Sequence, residues 1–139
     1  MTRTAIRRRA AAPGAVRVRG YGRGVPTDCL FCRIVAGDVP STSVLDTERT
    51  YAFRDVNPTA PTHVLVVPKQ HVENAAALTA DHAGMLADLF EAANAVARAE
   101  GVDASGYRLV LNVGADALNS IPHLHVHVIG GRRLGWPPG

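Results

Sequence analysis

The sequence predicts an α+β domain in which helices pack on one face of an antiparallel sheet. The order of the elements is the first indication, because short apolar stretches typical of strands lie on both sides of one long amphipathic stretch. The second is the length of 139 residues, 47% of them hydrophobic, which suffices for one domain with its own core. No apolar run approaches the roughly 18 residues that a membrane helix needs. We therefore expect a soluble, cytoplasmic protein that makes no membrane contact.

Helical periodicity occurs twice in the chain. Apolar residues at helical spacing predict a short helix over residues 29–36. A longer apolar stripe predicts the main helix, which Thr79 or Asp81 can cap and Gly101 ends. Five strands complete the prediction, and in chain order they lie at residues 44–45, 51–53, 63–68, 107–113 and 124–129.

The charge of the chain divides near residue 28. Residues 1–27 contain seven arginines and no acidic residue, whereas residues 28–139 contain more acidic than basic side chains. The first segment has few large apolar residues, so it cannot bury enough surface to offset its ordering entropy. We predict a disordered Arg/Gly-rich extension over residues 1–27 and one folded domain over residues 28–139. The extension is either a solvated segment without function or a weak polyanion-binding arm, and no other nucleic-acid contact is expected.

Three histidines alternate along one predicted strand, at His123, His125 and His127. Alternate residues of a strand face the same side, so the three imidazoles are expected about 7 Å apart on one face, while Leu124 and Val126 enter the core. Such a row can bracket one tetrahedral group of phosphate size. The competing interpretation is a metal-binding or incidental histidine cluster on an exposed sheet face.

The stretch His-Leu-His-Val-His-Val-Ile at residues 123–129 resembles the histidine-triad (HIT) motif. Its flanks resemble the Hint-type branch of that family, the purine nucleoside phosphoramidases, and the resemblance extends over residues 28–139. It implies an antiparallel sheet of about five strands with one long and one short helix, continued across a two-fold homodimer. The matching flanks are residues 53–58, 60–63, 67–69, Asn112, Ser120, 130–132 and 136–139.

The resemblance implies a role for each residue of a catalytic site. His125 is the nucleophile, which attacks the α-phosphorus and forms a nucleotidyl-histidine that water then hydrolyses. His127 contacts the phosphate or the leaving group, while His123 and His63 support and orient the nucleophile. Ser120 contacts the departing nitrogen, which must be protonated because an amide anion is a poor leaving group.

A purine nucleotide resembling AMP is the ligand that the resemblance implies. Asn112 would contact its phosphate, and the Asp55 carboxylate would accept hydrogen bonds from its ribose hydroxyls. Without the resemblance, Asp55 would be interpreted as a turn cap and the apolar residues of the pocket as ordinary core. The apolar walls that the resemblance implies are Leu30, Phe31, Ile34, Val39, Phe53 and Val56.

Cys29 and Cys32 are the two cysteines of the chain and form one Cys-x-x-Cys motif. Together with His63 and His123 they supply four ligands suited to a tetrahedral structural zinc, a pattern that several bacterial HIT proteins share. In the other interpretation, both histidines belong to the catalytic network and the two thiols are packed side chains or a redox pair. His71 is predicted to be a surface residue. Catalysis itself is expected to need no cofactor.

Two residues depart from the family pattern. Leu118 stands where the loop before the triad has glycine, and Pro122 enters the predicted strand, so the geometry of the phosphate loop is affected more than the fold. The leading hypothesis is hydrolysis of nucleoside 5′-phosphoramidates, adenosine ones in particular. The alternatives are a dinucleoside polyphosphate hydrolase and a nucleotide-binding regulatory or adaptor protein with vestigial catalysis. In the homodimer, residues 136–139 would reach the partner's active site.

Overall fold

The computed structural model of the protein describes residues 28–139, and the predictions made for residues 1–27 lie outside them. No helix among the described residues is both long enough and apolar enough to cross a bilayer. Two short 3-10 turns precede the second α-helix. The helices are α1 (Leu30–Val35) and α2 (Ala83–Ala99), and the strands are β1 (Ser43–Asp46), β2 (Thr50–Arg54), β3 (Thr62–Pro68), β4 (Tyr107–Val110) and β5 (Val126–Gly130).

The strands form one sheet in the order β1-β2-β3-β5-β4, and every neighbouring pair is antiparallel. This confirms the predicted five-stranded antiparallel sheet with one long and one short helix. The central strand is β3, and all of its residues are buried. Its register places Leu65 opposite His127 and Val66 opposite Val126 on β5. One of the three alternating histidines therefore lies beside the middle of the sheet.

The two helices cover opposite faces of the sheet, so the prediction of helices on one face is wrong. Val64 of β3 packs in a cluster with Leu89 of α2, whereas Leu65 packs in a second cluster with Phe31 of α1. Successive side chains of a strand point to opposite faces, so these clusters lie on the two sides of the sheet. The face that carries His127 is the one covered by α1, which brings the short helix to the histidines.

The long helix begins and ends near the signals that the sequence contains. The backbone N–H of Thr79 donates to Nδ1 of His82 over 3.0 Å, which closes one 3-10 turn at Ala80–His82 before α2 begins at Ala83. Gly101 follows the helix with a φ of +71°, a conformation that favours glycine and ends helices. The predicted stop at Gly101 is confirmed, whereas the predicted cap is wrong: His82 occupies the N-cap position of α2, Thr79 caps the preceding 3-10 turn, and Asp81 lies within that turn.

The last two strands are shorter than predicted. β4 ends at Val110, and β5 begins only at Val126, so His123 and His125 precede the strand. Here the N–H of Leu124 donates to the carbonyl of Val72 instead of joining the sheet ladder. The three histidines therefore do not form one row along a strand face, and their rings point into different surroundings.

Candidate functional site

His125 lies at the centre of the histidine group and is almost entirely buried, with 9% of its surface exposed. Its Nδ1 lies 2.7 Å from the carbonyl oxygen of His123, which can only accept a hydrogen bond. Nδ1 of His125 therefore carries the proton, and Nε2 keeps a free lone pair. The ring of Phe31 packs edge-on against the imidazole with centroids 5.2 Å apart, which holds its orientation. This is the tautomer that a histidine nucleophile requires.

His127 is linked to His63 on the neighbouring strand β3. Nε2 of His63 lies 2.9 Å from Nδ1 of His127 and 3.3 Å from Oδ2 of Asp55. On the other side of the His63 ring, the backbone N–H of Thr59 donates to Nδ1 over 3.1 Å. Since Nδ1 of His63 accepts that hydrogen bond, its proton resides on Nε2 and is shared between His127 and Asp55. The other oxygen of Asp55 accepts the N–H of Asn57 over 2.8 Å, so this carboxylate does cap a turn.

The second nitrogen of His127 has no partner. Nε2 of His127 is a buried atom without a hydrogen bond in the described part of the chain. Burial, followed by the nearby imidazoles of His125 and His63, lowers the pKa of His127 to about 4. The ring is therefore neutral at pH 7, and its centroid lies 5.0 Å from that of the His125 ring.

A second cluster combines both cysteines with His71 and His123, whose ligand atoms all lie within 4.8 Å of one another. The sequence prediction assigned His63 to this cluster, and the structure corrects that assignment: the ring of His63 is engaged with His127 and Thr59 instead. The prediction that His71 is a surface residue is also wrong. Nothing in the local pattern of residues marked His71, which follows β3 and whose Nδ1 lies 3.3 Å from Sγ of Cys32.

The geometry of this cluster fits a zinc ion. A tetrahedral site with Zn–N of about 2.0 Å and Zn–S of about 2.3 Å has N–N edges of about 3.3 Å and N–S edges of about 3.6 Å. The two Nδ1 atoms of His71 and His123 are 3.2 Å apart. Sγ of Cys32 lies 3.3 Å and 3.4 Å from them, and Sγ of Cys29 lies 3.5 Å from Nδ1 of His123. The donor set and its spacing are those of a structural zinc site.

The imidazole of His123 is in the protonation state that a metal ligand needs. The carbonyl of Pro68 accepts a hydrogen bond from Nε2 of His123 over 2.9 Å, which leaves Nδ1 bare and directed at the sulfurs. Burial lowers the pKa of His123 to about 4, so the ring is neutral at pH 7. Burial and the adjacent Cys29 raise the pKa of the Cys32 thiol to about 12, so a metal would have to displace that proton.

The group of Asp55, His63 and His127 also brings three ligating atoms together, but it does not suit a metal in the same way. Nε2 of His63 carries a proton because Nδ1 accepts the N–H of Thr59. Binding a metal through Nε2 would move that proton to Nδ1, where it would meet another N–H donor. The contacts of Asp55, His63 and His127 therefore favour a hydrogen-bonded network, whereas the donor atoms of the cysteine cluster suit a metal cation.

The predicted nucleoside walls divide into core and surface. Phe31, Ile34 and Phe53 are buried together on the α1 face of the sheet, with Val39 packed against them. Leu30 is partly exposed and lines a cavity of about 320 Å³ with Cys29 and His71. Val56 is 89% exposed, so it forms no closed wall in this chain.

The loop before the triad contains one strained residue. Leu118 has a φ of +59° and is 85% exposed, at the position where glycine was expected. The next residue, Asn119, has a buried Oδ1 without a hydrogen-bond donor in the described part of the chain. Ser120 is exposed after it, and Asn112 is half-buried just after β4. The sequence contained no signal that singled out Asn119 or Thr59.

Comparison with known proteins agrees with this geometry. Residues 36–134 match the HIT domain. A 14 kDa zinc-binding protein of Zea mays is 42% identical over 112 residues, covering 79% of this chain and 87% of the relative. The crystal structure of a HIT family hydrolase from Legionella pneumophila Philadelphia 1 superposes with a TM-score of 0.79 at 42% identity, covering 81% of this chain and 100% of that one.

A further solved structure is the histidine triad nucleotide-binding protein of Candida albicans. It is 30% identical, with a TM-score of 0.67, and the match covers 79% of this chain and 83% of that one. The family match extends over most of the residues that the structure describes, including every histidine of the site. The chain belongs to the HIT domain family.

Proposed function

We propose that the protein hydrolyses the P–N bond of purine nucleoside 5′-phosphoramidates of the adenosine type through a covalent nucleotidyl-histidine on His125. The observation that carries the proposal is the hydrogen bond from Nδ1 of His125 to the carbonyl of His123, because it leaves a nucleophilic lone pair on Nε2. The names of the two similar structures, a HIT family hydrolase and a nucleotide-binding protein, support the reaction class and the ligand class.

The first step forms a bond between Nε2 of His125 and the α-phosphorus and breaks the P–N bond. The departing nitrogen takes one proton from the medium and leaves as the amine, and the exposed hydroxyl of Ser120 is its proposed contact. His127 donates a hydrogen bond from its open Nε2 to a phosphoryl oxygen. In the second step, water attacks the phosphorus, the P–Nε2 bond breaks, and the water gives up one proton to the medium, which balances the proton that left with the amine. Asn112 is proposed to contact the phosphate.

The nucleoside would lie against the α1 face, where Phe31 separates the histidines from Phe53 and Ile34. Asp55 remains the proposed acceptor for the ribose hydroxyls, although part of its capacity is used by His63 and Asn57. Val56 is exposed beside it and free to contact a ligand. The other proposed apolar contacts are Leu30 and Val39.

The cysteine cluster would hold zinc in a structural role. When bound, zinc would fix α1 through Cys29 and Cys32 to the segment that contains His123. The zinc-binding relative from Zea mays supports this role. Since His123 is two residues from the nucleophile, and its carbonyl holds the His125 proton, the cluster would stabilise the tautomer of His125 without taking part in the reaction.

We further propose a two-fold homodimer in which the sheet continues across the β4 edge. Strand β4 ends the sheet, and Leu86 and Phe90, one turn apart on α2, are partly exposed. Arg108 of β4 donates to the carbonyl of Gly135 over 2.8 Å, which directs the C-terminal segment along this edge. Trp136 is 84% exposed and would be covered by the partner.

Turnover of adenosine phosphoramidate by His125→Ala tests the proposal. We expect a loss of roughly 10³-fold or more in kcat, with AMP binding retained, because the attacking nitrogen is removed and the pocket is not. His82→Ala, which alters a histidine at the start of α2, is the matched control and should keep full activity. A burst of nucleotidyl-protein in the wild type is expected. Tight AMP binding without burst or turnover would favour the adaptor alternative and overturn the proposal.

A further inference from the structure

An unpartnered atom is the starting point for a further inference. Nε2 of His127 is buried and has no hydrogen-bond partner in the described part of the chain, which is unusual for a buried polar atom. Whether this atom offers a proton or a lone pair to a ligand depends on which nitrogen of the neutral ring is protonated. The tautomer of His127 is set by the hydrogen-bond partner of its other nitrogen, Nδ1.

The tautomer of His127 depends, through His63, on the backbone N–H of Thr59. The N–H of Thr59 can only donate, so Nδ1 of His63, 3.1 Å away, accepts and its Nε2 carries the proton. That proton is directed at Nδ1 of His127, 2.9 Å away, with the Asp55 carboxylate as a second acceptor at 3.3 Å. Nδ1 of His127 therefore accepts, and its Nε2 carries a proton. The hydroxyl of Thr59, 3.3 Å from Nδ1 of His63, can also donate to this nitrogen in the same arrangement.

The backbone of Thr59 is held by the turn after β5. Arg132 donates to the carbonyl of Thr59 from Nη2 over 2.9 Å and from Nε over 3.3 Å. The same turn approaches the loop a second time, because a Cβ on Gly131 would lie 3.0 Å from Cβ of Pro61. The carbonyl of Thr59 belongs to the Thr59–Ala60 peptide group, and the N–H that faces His63 belongs to the preceding Pro58–Thr59 peptide group. Because the two planar groups share the Cα of Thr59, holding the first restricts the orientation of the second.

We infer that Arg132 is a positioning residue that, through the backbone of Thr59 and the ring of His63, keeps the proton of His127 on Nε2, so that this atom donates to the reacting phosphoryl group. The last clause rests on the proposed function. The proton positions themselves do not, because they follow from contacts within the ligand-free chain. The hydrogen bonds of Arg132 go to the carbonyls of Thr59 and Arg133, and its effect on His127 is transmitted by the backbone of Thr59 and one imidazole.

Nitrogen-15 NMR of the histidine rings in the full-length protein tests the proton positions without any substrate. In the wild type we expect Nε2–H tautomers for His63 and His127. Arg132→Ala should produce a mixture of both tautomers at His127, and Arg132→Lys, which keeps one donor near the Thr59 carbonyl, should restore most of the wild-type pattern. Arg133→Ala is the matched control at the next position and should change nothing.

Kinetics with adenosine phosphoramidate form the second measurement. For Arg132→Ala we expect kcat to fall about tenfold, with KM changed less than about twofold, and Arg132→Lys to recover most of the loss. A wild-type His127 protonated on Nδ1, or an Arg132→Ala protein with unchanged tautomers, would overturn the inference. A wild type that shows the expected tautomers and their shift in Arg132→Ala, but no turnover, would overturn the proposed function alone.

Discussion

Replacing Leu118 with glycine should stabilise the protein. Among the described residues, Leu118 is the one non-glycine residue with a positive φ, +59°. A left-handed conformation costs an L-residue with a side chain about 1–2 kcal/mol. Because the side chain is 85% exposed, removing it sacrifices little packing. Glycine loses about 0.5–1 kcal/mol through the greater entropy of its unfolded chain. We therefore expect a net gain of about 0.5–1 kcal/mol in the free energy of unfolding.

Urea denaturation followed by circular dichroism measures this gain. The midpoint should rise without a change in slope, and the melting temperature should rise by about 2–6 °C. Leu118→Ala is the matched control, because it removes the exposed side chain but keeps Cβ and its conformational cost, and should leave stability unchanged. Leu118→Asn should lie between the two, since asparagine tolerates this conformation. A Leu118→Gly protein no more stable than Leu118→Ala would refute the strain argument.

Three further predictions concern zinc, pH and assembly. Purified wild type and His63→Ala should each contain about one zinc per chain by elemental analysis, and His71→Ala should lose it; equal loss in both variants would contradict the corrected ligand set. The pKa of His127, lowered by burial to about 4, lies below the unfolded value of 6.5, so the unfolded chain binds more protons between these values. Stability should therefore fall as pH decreases through that window, by about 1–2 kcal/mol more in wild type than in His127→Gln; equal pH dependence would contradict the assignment. Removing residues 135–139 should alter selectivity among amine leaving groups more than AMP affinity, and a fully active monomer at micromolar concentration in sedimentation would exclude the dimer.

Repeating patterns of residue types made most of the fold predictable. The apolar run at residues 63–68 identified the central strand, and the stripe that ends at Gly101 identified α2. The face of the sheet on which α1 packs was not predictable, because a six-residue helix can be linked to either face by the chain between it and β1. Its side is decided by contacts between residues distant in sequence, such as Phe31 with Leu65.

The composition of the site was more predictable than its arrangement. Alternating histidines indicated a phosphate-sized site, but strand periodicity placed them in one row, whereas β5 begins after His125. His63 and His71 could not be assigned to their clusters from the sequence, since both are single histidines near the ends of β3. The partner of each ring depends on backbone groups, and no residue type in the sequence reports where a carbonyl or an N–H will point.

Two of those backbone groups lie close to opposite ends of one strand, β3. The N–H of Thr59, just before β3, gives His63 a protonated Nε2, while the carbonyl of Pro68, at the end of β3, gives His123 a bare Nδ1. As a result, the nitrogen of His63 that faces His127 carries a proton, whereas the nitrogen of His123 that faces the cysteines does not. His125 lies between the two, with its own proton held by the carbonyl of His123. Because register alternates side chains between faces, a shift of one residue between β3 and β5 would turn His127 away from His63. Which nitrogen is protonated in each of the four imidazoles therefore depends on the pairing of β3 with β5 as well as on the presence of the histidines.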